Sequence, residues 1–206
     1  MENIEKDLKF WHPVNLISTF FGVGKIPFAP GTWGSIAAYP FCIVLMKGVI
    51  ELAKLQGSVV YRITQEPLLF FIVIGVILLL LFLIGTYTSH LYTKYTGRED
   101  PKEVVIDEVV GQLLVIVTTT IPSLATISNL TGTALNIYVA LVIIFPLILF
   151  RIFDIIKPWP ISWCDTNIKG GFGIMLDDIA AAVMAIISYY ALFFLTIDLV
   201  NKFLIK

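Results

Sequence analysis

Acidic pairs and spaced cations stand at the borders of long apolar runs in this chain. Asp107 and Glu108 are adjacent, as are Asp177 and Asp178, and each pair opens a run almost free of charge. Arg151 and Asp154 are three residues apart at the end of another run, and Lys157, Asp165 and Lys169 follow. Carboxylates supply hard oxygen ligands, and Mg²⁺ favours one or two of them together with waters and phosphate oxygens. Arginine binds phosphate through a two-pronged fork and lysine as a point charge. The segment PGTWGS at 30–35 offers the hydroxyls of Thr32 and Ser35 and backbone N–H groups at a helix start, an anion site. Gly170, Gly171 and Gly173 form a loop through which backbone could approach a ligand closely. Carboxylates, cations and a backbone anion site together describe metal-assisted phosphoryl chemistry.

Each feature alone also fits a structural role. Carboxylates at helix N-termini and cations at C-termini complement the helix dipole. Capping needs one acid per helix, however, not adjacent pairs on two. It also leaves unexplained an Asp154 on the same helix face as Arg151.

Other phosphatase chemistries lack their residues. Position 170, where a Cys-x5-Arg signature starting at Cys164 would place arginine, is Gly. Asp165-Thr166-Asn167 lacks the second acid of a phosphoaspartate motif. His12 and His90 are remote in sequence from the acidic motifs, and His90 reads as an interfacial structural residue. Cys42 and Cys164 show neither disulfide-framework nor zinc spacing.

The elements that must position these residues are membrane helices. Of 206 residues, 58% are hydrophobic and only 14% charged, with a mean hydropathy of +0.90. Soluble domains carry about 25% charged residues. The net charge of −1 gives no footprint for nucleic acid. A helix of about 20 apolar residues crosses a bilayer. Five such segments are expected, near Ser35–Ile50, Leu68–Thr86, Val105–Ile121, Leu135–Ile156 and Ile179–Ile197. The first is interrupted by Pro40 and Lys47 and could be re-entrant. Turn formers from Pro122 to Asn136 divide the third from the fourth. Phe10–Gly24 is short and aromatic, which suits the interface, and the N-terminus does not read as a secretory signal. The expected architecture is an all-α bundle, one integral-membrane domain over 1–206.

A cytoplasmic N-terminus would place Lys9, Lys25, Lys94, Arg98, Lys102, Arg151, Lys157 and Lys169 inside, together with Lys6. Lys47, Lys54, Arg62, Lys202 and Lys206 would then lie outside. That bias is modest. It puts every motif above on one membrane face, where a phospholipid is the natural substrate. Charges bordering apolar helices default to a functional role. A cation or phosphate transporter is the alternative, but its site would lie near the bilayer midplane, and these span centres are apolar. A scaffolding protein would not need the acidic cluster.

Three stretches together resemble the phosphatidylglycerophosphatase A family: GVGKIPFAPGTWGSIAAYPF (22–41), VVIDEVVGQ (104–112) and FRIFDIIKPWPISWCDTNIKGGFGIMLDDIAA (150–181). The resemblance implies a Mg²⁺-dependent lipid phosphatase of the bacterial cytoplasmic membrane. It would convert phosphatidylglycerophosphate to phosphatidylglycerol and phosphate, the last step of phosphatidylglycerol synthesis, at the cytoplasmic face. On this reading the metal ligands come from Asp107, Glu108, Asp177 and Asp178. Arg151 clamps the phosphoryl group with Asp154 orienting it. Thr32, Ser35, Lys157 and Lys169 are further substrate-binding candidates.

Overall fold

The computed structural model describes residues 8–55, 67–125 and 131–204. Lys6, Arg62 and Lys206, which entered the charge asymmetry, lie outside these residues, as do the middle of the 123–136 linker and most of the 51–66 connection. Among the described residues the fold is all helical. Two short elements come first, α1 (Pro13–Ser18) and a 3₁₀ turn (Val23–Lys25). The long helices are α2 (Pro30–Leu55), α3 (Pro67–Thr96), α4 (Ile106–Val115), α6 (Gly132–Ile156) and α8 (Gly170–Leu204). A wider π-type turn (Ile116–Thr120) extends α4 into α5 (Ile121–Ala125), and α7 (Ile161–Asn167) bridges α6 to α8.

Five segments are long and apolar enough to cross a membrane: Pro30–Glu51, Leu68–Thr96, Ile106–Ala125, Leu135–Ile156 and Gly170–Phe194. The count matches the sequence expectation, but two boundaries differ. The second helix continues ten residues past Thr86, through the polar TYTSHLYTKYT end, to Thr96. The last begins at Gly170 rather than near Ile179, so the glycine stretch is its first turn and not a loop. Asp177 and Asp178 therefore sit two turns inside a helix, where an end-dipole explanation no longer applies.

Proline inside a helix removes one N–H and frees the carbonyl four residues earlier. In a bilayer that carbonyl needs another donor. Here neighbouring helices supply hydroxyls. Pro146 frees the carbonyl of Val142, which accepts from the Thr120 hydroxyl at 3.1 Å. Pro122 frees the carbonyl of Thr118, which accepts from the Tyr190 hydroxyl. Pro122 consequently does not end the helix, as its turn-rich surroundings led the sequence reading to expect. The chain passes it as a π-type turn and one further α-helical turn.

Small residues let the helices approach closely, the usual device where lipid tails compete with side chains. Ala181, Ala182 and Ala185 of α8 pack with Val115 and Phe150 in one buried cluster. A Cβ on Gly111 would come within 2.9 Å of the Phe150 ring and 3.1 Å of the Asp178 carbonyl oxygen. One on Gly171 would lie 2.1 Å from the carbonyl oxygen of Thr86. These contacts lie in the half of the bundle that carries the acidic motifs. In the other half, Gly48 and Gly75 have nothing within 4 Å of such a position.

Candidate active site

α4 opens at Ile106, so Asp107 and Glu108 fall in its first turn and project from the helix start. Two turns into α8, Asp178 meets them. One carboxylate oxygen from each of Asp107, Glu108 and Asp178 lies within 4.8 Å of the others. Asp178 is only 3% exposed. Asp107 Oδ1, Glu108 Oε2 and Asp178 Oδ2 are buried and have no hydrogen-bond partner among the described residues. Buried carboxylate oxygens without donors are costly. Three converging from two helices form a donor set fitted to a hard divalent cation.

The last turn of α6 supplies the opposite charge. Arg151 Nη1 lies 2.5 Å from Asp154 Oδ2 and 3.9 Å from Glu108 Oε1. The same nitrogen stands 3.5 Å from the Ser35 hydroxyl, which donates to the Gly31 carbonyl at 3.0 Å. Arg151 Nε is buried without a partner among the described residues, so the fork keeps an unused donor. The first turn of α2 is pressed against this group. A Cβ on Gly31 would lie 2.0 Å from Glu108 Oε1 and 3.1 Å from Arg151 Nη1. The opening N–H groups of a helix have no intrahelical acceptor, and here they border the arginine.

Lys157 closes α6 in the left-handed conformation, at φ 46°. This turns its side chain back between two acids. Its ammonium donates to Asp165 Oδ1 and Asp177 Oδ2, both at 2.6 Å. Burial pulls its pKa down, but the two carboxylates outweigh that and hold it above the ordinary lysine value. Lys157 is thus a permanent cation binding α6 to α7 and α8.

Except for Ser35, these groups line one cavity of about 1150 Å³. Of the residues expected from sequence, Asp107, Glu108, Arg151, Asp154, Lys157, Lys169, Asp177 and Asp178 all lie on its wall. Ser35 is fully buried just behind Arg151. Thr32 is not on the wall. Asp177, grouped with the metal ligands in the sequence reading, faces Lys157 instead, because adjacent residues point about 100° apart on a helix. Lys169 is held at the rim, with its ammonium 3.4 Å from the Asp165 carbonyl oxygen.

The sequence reading, which took His90 as an interfacial structural residue, did not place it at the cavity. Together with Thr93, Lys94 and Gly97 it lines the cavity. His90, Thr93 and Lys94 share one helix face by their i, i+3, i+4 spacing, with Gly97 just past the helix end, a signal visible only if the second helix is extended past Thr86.

A family profile described as Phosphatidylglycerophosphatase A matches residues 16–193. The chain is similar to the protein of that name from Haemophilus influenzae, 33% identical over 91% of this chain and 93% of the relative. It is also similar to that from Escherichia coli, 34% identical over 86% of this chain and 82% of the relative. A Bacteroides thetaiotaomicron protein, named "Putative phosphatidylinositol-3-phosphatase", is 34% identical over 84% of this chain and 88% of the relative. No solved structure matches the chain.

Proposed function

Because the chain belongs to the phosphatidylglycerophosphatase A family of membrane lipid phosphatases, we propose that it hydrolyses phosphatidylglycerophosphate to phosphatidylglycerol and inorganic phosphate, with Mg²⁺ held by Asp107, Glu108 and Asp178. The observation that carries this reading is the meeting of three partnerless buried carboxylate oxygens with Arg151 in one cavity at the end of a membrane bundle. Two of the curated relatives carry the corresponding name.

The bond broken joins phosphorus to the terminal glycerol oxygen. Water supplies the new P–O bond, and the departing oxygen takes a proton to become the free hydroxyl of phosphatidylglycerol. When bound, a divalent cation would neutralise phosphate oxygens and acidify a coordinated water. The chain's own residues do the rest. Arg151 binds the phosphoryl oxygens through its fork, and its charge offsets the negative charge that builds in the transition state. Asp154 and Ser35 fix the guanidinium in place. The first turn of α2 adds backbone donors on the same side. Asp177 is a positioning residue: through Lys157 it fastens α8, and with it Asp178, to the end of α6.

Purified protein in detergent should release phosphate from phosphatidylglycerophosphate in a Mg²⁺-dependent reaction that EDTA stops and excess Mg²⁺ restores. Assays on phosphatidic acid and phosphatidylinositol 3-phosphate set the selectivity. Release from either of these but not from phosphatidylglycerophosphate would refute the substrate assignment, and release that survives EDTA would refute the metal.

The cavity is proposed to face the cytoplasm. Lys102 and Lys169 are exposed at its wall, and Thr131 is exposed at the opposite end of α6. In a background lacking Cys42 and Cys164, single cysteines at 102 and 169 should resist an impermeant thiol reagent in intact cells and react after permeabilisation. A cysteine at 131 should label at once. Labelling at 102 and 169 in intact cells would reverse the orientation.

A further inference from the structure

We propose that the lipid part of the substrate reaches the cavity sideways, between the start of α2 and the end of α6, with its acyl chains against an isoleucine stripe on α6. This rests on the lipid-phosphatase reading above and adds to it the path by which the substrate binds.

α6 is two-faced at its end. Arg151 and Asp154 turn to the cavity, while Ile155, which also lines it, is 69% exposed. Ile144, Ile148 and Ile152 precede it at spacings that keep one helix face, and all are exposed. The stripe therefore runs along a membrane-spanning helix and ends on a residue of the active-site wall. At the start of α2, Phe28 is 80% exposed immediately before Ala29, Pro30 and Gly31, which line the same cavity.

Deeper in the bundle the two helices are joined by the Tyr39 hydroxyl, which donates to the Ile143 carbonyl at 2.6 Å. Twelve residues of helix separate that tie from Ile155, about 18 Å. One leaflet of a bilayer core is about 15 Å deep. The exposed face continues past the tie through Leu141 and Ile137 to the far end of the helix, and its cavity-side half, about one leaflet deep, is headed by a phosphate-binding arginine, the polarity of a single phospholipid. A peptide partner would bring polar backbone that nothing along the stripe satisfies.

The test uses Phe28→Ser and Ile152→Ser, neither on the cavity wall. Two substrates share one head group: long-chain phosphatidylglycerophosphate in mixed micelles and its water-soluble dihexanoyl analogue. The variants should raise KM for the long-chain lipid about tenfold with kcat within about twofold, and leave the soluble analogue unchanged. Equal losses on both substrates, or no change on either, would overturn the proposal. Independently of turnover, a long-chain lipid phosphate carrying a diazirine in its acyl chain should photolabel 141–156 in the wild-type protein. Label confined to α3, or spread evenly over all spans as for bulk lipid, would also overturn it. Absence of phosphate release from both substrates in the wild type would instead refute the proposed function, and the photolabel would still judge the path.

Discussion

Asp178→Asn is expected to lower Mg²⁺-dependent phosphate release by about a hundred- to a thousandfold, the scale of losing one preorganised electrostatic contact in a closed site. The substitution preserves shape and removes charge from a group whose Oδ2 has no other partner among the described residues. The neighbouring Asp177→Asn is expected to behave differently. Asp177 lies against Lys157, and its side chain is 9% exposed in that pair. Breaking a mostly buried pair destabilises, although Lys157 keeps Asp165. Asp177→Asn should therefore lower the thermal midpoint in detergent more than Asp178→Asn does, and lower kcat less. Initial rates, Mg²⁺ titrations and melting curves on the two variants check this. Full turnover by Asp178→Asn would remove it from the metal set, and equal losses of activity in both would return Asp177 to it.

Arg151→Lys should reduce kcat/KM by about a hundredfold or more, about 3 kcal/mol of transition-state binding. The guanidinium serves several partners at once: Asp154 at 2.5 Å, Glu108 at 3.9 Å and Ser35 at 3.5 Å. Its Nε is still uncommitted among the described residues. An ammonium at that position could keep the contact to Asp154 but, as a single point charge, could not also offer a phosphoryl oxygen the planar two-pronged fork. Inhibition by inorganic phosphate, which reports the same clamp without chemistry, should weaken in parallel. A variant with wild-type kcat and KM would show that Arg151 only neutralises its neighbours.

The helices of this bundle are legible from apolar length alone, since a bilayer imposes a length that water does not. The acidic and basic site residues are legible for a related reason: charge at the edge of an apolar helix is rare enough to single out. What the sequence conceals is direction. Asp177 and Asp178 are chemically equivalent neighbours, and only the packing of α8 turns one to Lys157 and the other to Asp107. The start of α8 was also hidden, because Gly170, Gly171 and Gly173 read as a loop when the partner surface is unknown. The missing side chain of Gly171 in fact lets α8 press on Thr86 and His90, and that of Gly173 lets its first turn close on the Ile168 carbonyl. His90 was overlooked because the extension of α3 beyond Thr86 is polar, and hydropathy stops counting where that helix leaves the apolar region.

Glycine-mediated contacts crowd the cavity half of the bundle, while at Gly48 and Gly75 of the opposite half an added Cβ would meet nothing within 4 Å. This asymmetry bears on how the protein tolerates bilayers of different thickness. A spanning helix answers hydrophobic mismatch by tilting, and each ångström costs a fraction of a kcal/mol. Where the closest backbone approaches gather at one end of a bundle, tilt is expected to be smallest there. The carboxylates and Arg151, set among those close contacts, should keep their register. Phosphate release should therefore vary little with the acyl-chain length of the host membrane.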